Sequence, residues 1–573
     1  MEKRFLLAVV LCFLILMFYQ AYQEKLQKPK MPAQETSSPG SGQELPAPSP
    51  GAPEAPDAKA SLPPAVAASE TSVPEQEGGE PVCREVVVDT DLYRAVFCSH
   101  NGRPTSWKLK NYQNKRQTGC TLLGFLSREA SEALPVGDEQ NWVERLHATA
   151  PQEFPLALEI SNGKERIPVR ERLEPDQSVL DMRTADHPDR LTFTGRDQFG
   201  RAVRRTYTFV PKSYLVNVEI EIAGTEQDFE NAGANLTLTE RIGAEARDRY
   251  TFSGFMGLIN GSLEKEKELK GKEPRYFSGR VDWQGFSDKY FLTCLIPIDN
   301  PVSSVKVERP GGGEKDKGGL FVSSLIYNFQ DHMEGTVARF SYGLYIGPKD
   351  LDVLKTTGYS LQQSIDLGWF GFIARPLLVV LKFFKKYMHN YGVAIILLTV
   401  LIKILFYPLT RKQYQSMKEL QKLQPKLQEM REKFKGDRER LNKEMMDFYR
   451  THKINPLSGC WPMLLQIPVF FALYKALLNS IELRQAPFML WIQDLSEKDP
   501  CYITPIIMGL TMFLQQRMTP SVGDPNQQRI MMFMPLIFTV MFLQFPSGLV
   551  IYWLVNNVLS IGQQYVVTQV AKK

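Results

Sequence analysis

The last third of the chain runs through five apolar segments, at about residues 391–409, 461–478, 502–518, 530–545 and 549–567. As helices they would each reach about 24–29 Å, close to the hydrocarbon thickness of a bilayer. Slight thinning of the bilayer or flanking residues absorb the shortfall. A segment that crosses lipid must have its backbone polar groups satisfied, and apolar runs of this length do so as helices. This constraint outweighs overall composition, and it assigns the end of the chain to a helical membrane bundle.

Orientation follows from Lys and Arg in the connections. The stretch 411–453 carries Arg411, Lys412, Lys418, Lys422, Lys426, Arg431, Lys433 and Lys435, and it is expected in the cytoplasm. The stretch 479–501 holds Glu482, Asp494, Glu497 and Asp499 against Arg484 and Lys498, so it should face outward. Residues 517–529 return inside, the 545–548 corner lies outside, and Lys572-Lys573 end inside. The chain opens with Met1-Glu2-Lys3-Arg4 and an apolar run at 5–19 without a clear small-x-small site after it. Residues 1–22 therefore read as a retained signal anchor with its N-terminus inside, or else as a cleaved signal peptide. The anchor makes six spans and places everything between the first and second of them outside.

That exported region has two parts. Residues 23–81 are a tether, rich in Pro, Ala, Glu, Ser and Gly and without aromatic residues from 29 to 80, too poor in apolar surface to offset the entropy of ordering. Residues 82–367 then change to a period of two. Val216-Asn217-Val218-Glu219-Ile220-Glu221-Ile222 alternates cleanly, and Leu191 to Thr194 and Arg205 to Phe209 flank a hairpin connection at Asp197 to Gly200. Such alternation between frequent turns predicts antiparallel sheets packed face to face, in one large β-sandwich. Its acid/base candidates are His100, His187, Asp186 and Asp189. Asp186-His187-Pro188-Asp189 reads as a turn, where Asp and Pro serve the backbone. Gly311-Gly312-Gly313 lacks the Lys-Ser/Thr and helix of a phosphate loop and reads as a hairpin tip.

The seven cysteines form no CxxC pair, so zinc and thioredoxin-like sites are excluded. Cys83, Cys98, Cys120 and Cys294 fall in the exported region, where disulfides are permitted and buried thiols equally so. The formal charge of +5 is too small to imply nucleic acid, and no basic-aromatic cluster suggests it. No residue pattern calls for a cofactor or a metal.

Two connecting elements are amphipathic. Residues 368–388 mix Trp369, Phe370, Phe372, Leu377, Leu378, Phe383 and Phe384 with Arg375, Lys382, Lys385 and Lys386, with Pro376 placed to open a helix. This is either a helix in the outer membrane interface or a connector buried between domain and bundle. In 411–453, Met417, Leu420, Leu423, Leu427, Met430 and Phe434 recur at steps of three and four. Lys435-Gly436-Asp437 breaks the run, and Leu441, Met445 and Phe448 resume it. The pattern predicts a helical hairpin whose Met-rich strip (Met417, Leu420, Leu427, Met430, Phe434) is suited to docking.

Lys403 is the residue that points to function. It sits in Thr399-Val400-Leu401-Ile402-Lys403-Ile404-Leu405-Phe406, and an ionisable group in lipid is expensive unless it meets a polar partner or cavity. It either snorkels to the inner interface, about 9 Å of helix away, or lines a hydrophilic recess with polar residues of other spans. Those are Tyr552, Asn556, Ser560 and Gln563 on one helical face, Gln466 in the third span, Thr511, Gln515 and Gln516 in the fourth, and Thr399 on its own helix. Polar residues also hold helices together. A recess would shorten the apolar barrier for a polar segment in transit, and its positive charge would attract acidic or polar parts of an incoming chain.

Several ordered strings resemble the YidC membrane-protein insertases of two-membrane bacteria. They are Tyr407-Pro408-Leu409-Thr410, Gln424-Pro425-Lys426, Asn455-Pro456-Leu457 with Gly459-Cys460 and Pro462, and Gln466 and Pro468 with Ala472-Leu473-Tyr474. Glu482-Leu483-Arg484-Gln485-Ala486-Pro487-Phe488, Phe533-Met534-Pro535 and Phe545-Pro546-Ser547-Gly548-Leu549 complete the set. The resemblance implies a five-helix core with a positive groove open to cytoplasm and lipid, and a periplasmic β-supersandwich related in fold to sugar-epimerising enzymes but not itself an enzyme. It implies an inner-membrane protein acting on nascent membrane proteins, alone or beside the Sec translocon, with the cytoplasmic hairpin meeting the targeting machinery or ribosome. The groove arginine of the family falls on Lys403, which keeps the charge without the bidentate fork. Its threonine falls on Thr399 and an aromatic of the last span on Trp553, beside Tyr552. The tail ends at Lys573 without the long basic extension of mitochondrial relatives, so ribosome binding through a tail is not expected.

The expected class is thus an α + β multidomain membrane protein with six transmembrane helices, a large periplasmic antiparallel β-supersandwich and a cytoplasmic helical hairpin. Two other functions compete with insertion. A transporter or channel would favour inverted repeats, which are not evident. An anchored periplasmic sugar enzyme would need His187 or His100 as catalytic groups.

Overall fold

A computed structural model describes residues 83–114, 120, 139–148, 150, 153–161, 166–224, 229, 232–242, 252–267, 273–298, 302, 304–310, 319–434, 436–451, 461–518 and 525–570. The expected anchor at 1–22, the tether at 23–81, Gly311-Gly312-Gly313, Cys12, Cys460, the string Asn455-Pro456-Leu457 and Lys572-Lys573 lie outside the described residues.

Residues 83–348 form three sheets. Alternation drives them: Val216, Val218, Ile220 and Ile222 are all fully buried, while the residues between them face outward. Their strand, Leu215–Ala223, pairs antiparallel with Val337–Pro348 and with Ala202–Phe209 near the centre of a ten-stranded sheet. The hairpin expected around Asp197 is present, joining Asp189–Asp197 to Ala202–Phe209. Asp197 Oδ1 accepts from the backbone N–H groups of Phe199 and Arg201, which closes the turn. A six-stranded sheet is built on Gly233–Ile242 and Gly319–Asn328. A five-stranded sheet contributes Tyr93, which stacks on Trp107, and Phe97, which meets Trp107 edge-on and also packs on Phe193, Tyr207 and Phe209 of the large sheet. One pair in it, Glu85–Thr90 with Val179–Met182, is parallel, an exception to the expected antiparallel pattern.

One inward position on Ala202–Phe209 belongs to Arg205, between the buried Val203 and Tyr207. Its guanidinium donates from Nε and Nη2 to both oxygens of Glu171, at 2.8 and 2.7 Å, and from Nη1 to the Leu156 carbonyl at 3.0 Å. His187 lies in an exposed bend, and His100 is half-buried, with its imidazole held below its ordinary pKa by burial and then by Arg172.

Four cysteines pair, Cys83 with Cys98 and Cys120 with Cys501, and Cys294 is a buried thiol. Of the two possibilities left open by the sequence, both therefore occur.

Eight helices are described after the sheets. They are α1 (Leu351–Thr357), α2 (Gly371–Met388), α3 (Tyr391–Lys433), α4 (Arg438–Thr451), α5 (Trp461–Asn479), α6 (Ile503–Met518), α7 (Pro525–Phe542) and α8 (Ser547–Val570). Pro376 does not open α2, because the helix begins five residues earlier at Gly371. Ala374, Leu378 and Leu381 of α2 are buried, while Trp369 before it and Phe372, Val379, Phe383 and Tyr387 on its other side are exposed. The apolar segment at 391–409 and the first arm of the hairpin are one 43-residue helix, α3. A change from apolar to charged residues does not end a helix when Lys, Arg, Gln and Leu all favour it. The break falls after Phe434, and Asp437 Oδ1 then accepts from the Arg440 N–H to start α4.

Helices stand at all five expected apolar segments. Among the described residues, one stretch, Tyr391–Glu419, is long and apolar enough by itself to cross a membrane. Helix α6 has 16 residues. Large apolar side chains nonetheless cover the outside of α3, α6 and α7. Leu405 is 72%, Leu510 68% and Leu536 62% exposed, which no aqueous surface favours over so wide a belt.

A buried polar junction ties the sheets of the β-domain to one another. Arg145 bridges Glu240 at 2.6 Å and Asp288 at 2.5 Å, and Lys349 Nζ donates to Ser287 Oγ at 3.0 Å and the Asp288 carbonyl at 2.6 Å. Burial pushes the Lys349 ammonium down to about 8, reinforced by Lys265 and Arg145 and opposed by Asp288 and Asp366. From pH 8 up to its ordinary value of 10.5 the unfolded chain still holds a proton that the folded protein has released. Stability should therefore rise with pH across that window, by up to about 2 kcal/mol near pH 9.5. Denaturant unfolding at pH 7.5 and 9.5 should show this slope in the parent chain and a smaller one in Lys349→Met.

Candidate functional site

The site is set by which face of α3 turns inward. Ile395, Leu398, Thr399, Ile402 and Lys403 are buried at steps of three and four, while Leu401, Ile404 and Leu405 point out. Lys403 is thus on the packed face, 9% exposed, and its side chain runs across to α8 rather than along α3 toward the helix end.

On α8, Tyr552, Asn556 and Ser560 repeat at steps of four and share a face. Lys403 Nζ donates to Ser560 Oγ at 2.7 Å. That hydroxyl spends its own proton on the Asn556 carbonyl, also 2.7 Å away, so its lone pair is what receives the ammonium. The Asn556 side-chain oxygen accepts from Gln466 Nε2 of α5 at 3.0 Å. Tyr414, a later residue of α3, donates its hydroxyl to the Ser560 carbonyl at 3.4 Å. A continuous polar chain, Lys403–Ser560–Asn556–Gln466, therefore joins three helices. Among the described residues no carboxylate pairs with Lys403, and Ser560 takes one of its three N–H donors.

The remaining expected residues are placed as follows. Thr399 is 1% exposed and donates to the Ile395 carbonyl of its own helix, at 2.7 Å. Tyr552 is buried one turn before Asn556. Trp553 leaves the polar face and packs among Phe470, Phe538 and Phe542, with ring centroids 4.8, 6.2 and 5.4 Å away. Gln515 is half-buried on α6, one turn beyond Thr511. Gln563 is half-buried, next to the residue that bonds across.

That neighbour, Gln564, belongs to a second strip. Asn557 Nδ2 donates to Thr511 Oγ1 at 3.4 Å and Gln564 Nε2 to the Met518 carbonyl at 2.7 Å, and both side chains are buried against α6. Asn557, Ser560 and Gln564 are spaced by three and four, so the strip is legible in the sequence as a helical face adjacent to that of Tyr552 and Asn556. On the hairpin strip, Leu427 is 2% exposed, and Met417, Met430 and Phe434 are half-buried. The Lys433 ammonium and Arg440 guanidinium lie over the Phe434 ring. The Leu420 side chain lies outside the described residues.

Two family models divide the chain. Residues 383–573 match the 60Kd inner membrane protein family and residues 146–380 the YidC periplasmic domain. The membrane protein insertase YidC of Syntrophus aciditrophicus is 40% identical over 575 residues, covering 100% of both chains. The chain belongs to the YidC membrane protein insertase family. The YidC of Geobacter metallireducens is 41% identical over 579 residues and 98% of each chain. Most of the sheet region, together with α1 and the greater part of α2, thus matches the periplasmic domain of YidC-family proteins, and α3 to α8 match the inner membrane protein family.

Proposed function

We propose that this protein inserts transmembrane segments of newly made proteins into the inner membrane, and that the Lys403 cluster receives the polar part of the incoming chain. The observation that carries the reading is a buried ammonium without a carboxylate partner among the described residues, held at the meeting of α3, α5 and α8. A charge there is costly unless it serves a polar ligand or pathway. The neighbouring faces of α3, α6 and α7 are apolar and exposed, so a hydrophobic segment leaving the cluster meets lipid directly. Burial of that segment supplies the driving force, at about 25 cal/mol per Å², and the membrane potential adds to it for charged segments.

The helices act as five spans after an N-terminal anchor, with both termini in the cytoplasm. Contacts of the 479–502 connection with the periplasmic domain support that side for it: Arg484 and Gln485 both donate to the Gln113 carbonyl. The α3–α4 hairpin then lies in the cytoplasm, where it docks the targeting machinery or ribosome, and insertion proceeds alone or with the Sec translocon. Residues 368–388 lie in the outer interface, α2 presenting Phe372, Phe383 and Tyr387 to lipid.

Purified protein in liposomes, given a single-spanning substrate, should protect that substrate from protease well above the level of empty liposomes. Equal protection in both would remove the autonomous insertase. Uptake of a small solute by the same sealed vesicles, without substrate protection, would favour a transporter or channel instead.

A further inference from the structure

The disulfide between Cys120 and Cys501 joins two parts of the molecule that lie 381 residues apart in sequence. Cys120 follows the strand Pro104–Gln113 of the periplasmic domain, and Cys501 ends the connection from α5 to α6. We propose that this bond is an oxidation-dependent strap that fixes the periplasmic domain to the outer end of α6.

Both attachment points are already held by their own surroundings. On the helix side, Asp499 is 1% exposed and accepts from the Cys501 N–H at 2.9 Å and from the Thr504 N–H and hydroxyl at 2.8 and 2.6 Å. It fixes the first turn of α6 and the cysteine together. On the domain side, the Gln113 and Asn114 carbonyls accept from Gln485 Nε2 at 3.2 and 2.9 Å, and Gln113 also from Arg484. The Arg484 guanidinium lies over the Tyr290 and Phe291 rings, and Lys289 reaches the Ser496 carbonyl. These polar contacts are individually weak and partly solvated. They bring the Cα atoms to 4.9 Å, within the span of a disulfide, and the covalent bond then makes separation an intramolecular event.

Forming the strap joins the two sulfurs and releases two protons. The two electrons pass by thiol–disulfide exchange to a protein disulfide of the outer compartment, which becomes a dithiol. Reduction reverses each step and leaves docking to the hydrogen bonds alone. Because α6 packs on α8 through the Thr511–Asn557 and Met518–Gln564 contacts, the strap restrains a helix that borders the Lys403 cluster.

Peptide mapping of the full-length protein, alkylated without reduction, should recover Cys120 linked to Cys501. Recovery of both as alkylated thiols from protein matured in the oxidising compartment would overturn the proposal. Backbone hydrogen exchange should then be compared between the parent chain, oxidised and reduced, and Cys501→Ser. A Cys83→Ser/Cys98→Ser variant controls for the other disulfide, which dithiothreitol also opens. Loss of the strap should speed exchange about tenfold in segments 104–114 and 480–502, since an intramolecular tie raises effective concentration by at least that factor. The control variant should leave those segments unchanged while oxidised and show the same rise on reduction. Equal exchange with and without the strap would show that the bond holds nothing. If Cys501→Ser does not fold, reduction of the folded control variant gives the same comparison.

Discussion

Lys403→Met is expected to leave the bundle at least as stable as in the parent chain and to cut insertion of a single-spanning substrate about tenfold to a hundredfold. The two halves of that expectation have different causes. A buried charge without a carboxylate partner is expensive, and an apolar side chain of similar length removes the expense, so stability should hold or rise. Ser560 loses a donor, but its hydroxyl keeps the bond to the Asn556 carbonyl and is not stranded. Function suffers because a hydrogen bond from an ammonium to a polar group in transit contributes about 1.5–3 kcal/mol, which is the stated tenfold to hundredfold. Lys403→Arg should retain most activity, since charge and reach persist, although the planar fork meets a single hydroxyl less well than the point charge does. Ser560→Ala should fall between, because the ammonium stays but is no longer aimed. Protease protection in liposomes measures insertion and thermal unfolding in detergent measures stability. A Lys403→Met protein that inserts as well as its parent would reduce Lys403 to a packing residue. One that unfolds early would make it structural.

What the sequence disclosed divides along physical lines. Period-two alternation marked Val216 to Ile222 and the Asp197 hairpin because each depends on neighbours a few residues away. The break between Phe434 and Asp437 was legible for the same reason. Arg205 was not, since nothing local says that an inward arginine will find Glu171, 34 residues earlier in the chain. The disulfide partners also depend on tertiary placement, and Cys501 was assigned to a different part of the protein from Cys120. Within the site, helical spacing put Tyr552, Asn556 and Ser560 on one face, and Lys403 and Gln466 join that face in space. Spacing did not distinguish residues that cross between helices from those that bond their own backbone, as Thr399 does. Trp553 shows the same limit: its position came from resemblance, and its surroundings are aromatic.

Glu171→Ala should destabilise the periplasmic domain by about 3–5 kcal/mol, because it leaves the Arg205 guanidinium buried and unpaired. Arg205 is 1% exposed; Glu171 accepts two hydrogen bonds from its guanidinium and the Leu156 carbonyl another. The carboxylate reaches the guanidinium past the intervening strand Asp189–Asp197, and both side chains are buried there. For a domain of this size the loss corresponds to a fall on the order of 10 °C in Tm. Glu171→Gln should cost less, since the amide oxygen still accepts one bond although the charge is gone. The double variant Arg205→Met/Glu171→Leu separates the value of the pair from the penalty of breaking it. With both charges removed and the volume kept, most of the lost stability should return. Calorimetry of the three proteins gives the comparison. A double variant as unstable as Glu171→Ala would mean that the pair itself stabilises the fold. Recovery would mean that it chiefly fixes the register of an inward polar position. Because the ion pair lies within the sheets and the Lys403 cluster lies among the helices, none of these substitutions should alter the hydrogen bonds that position Lys403.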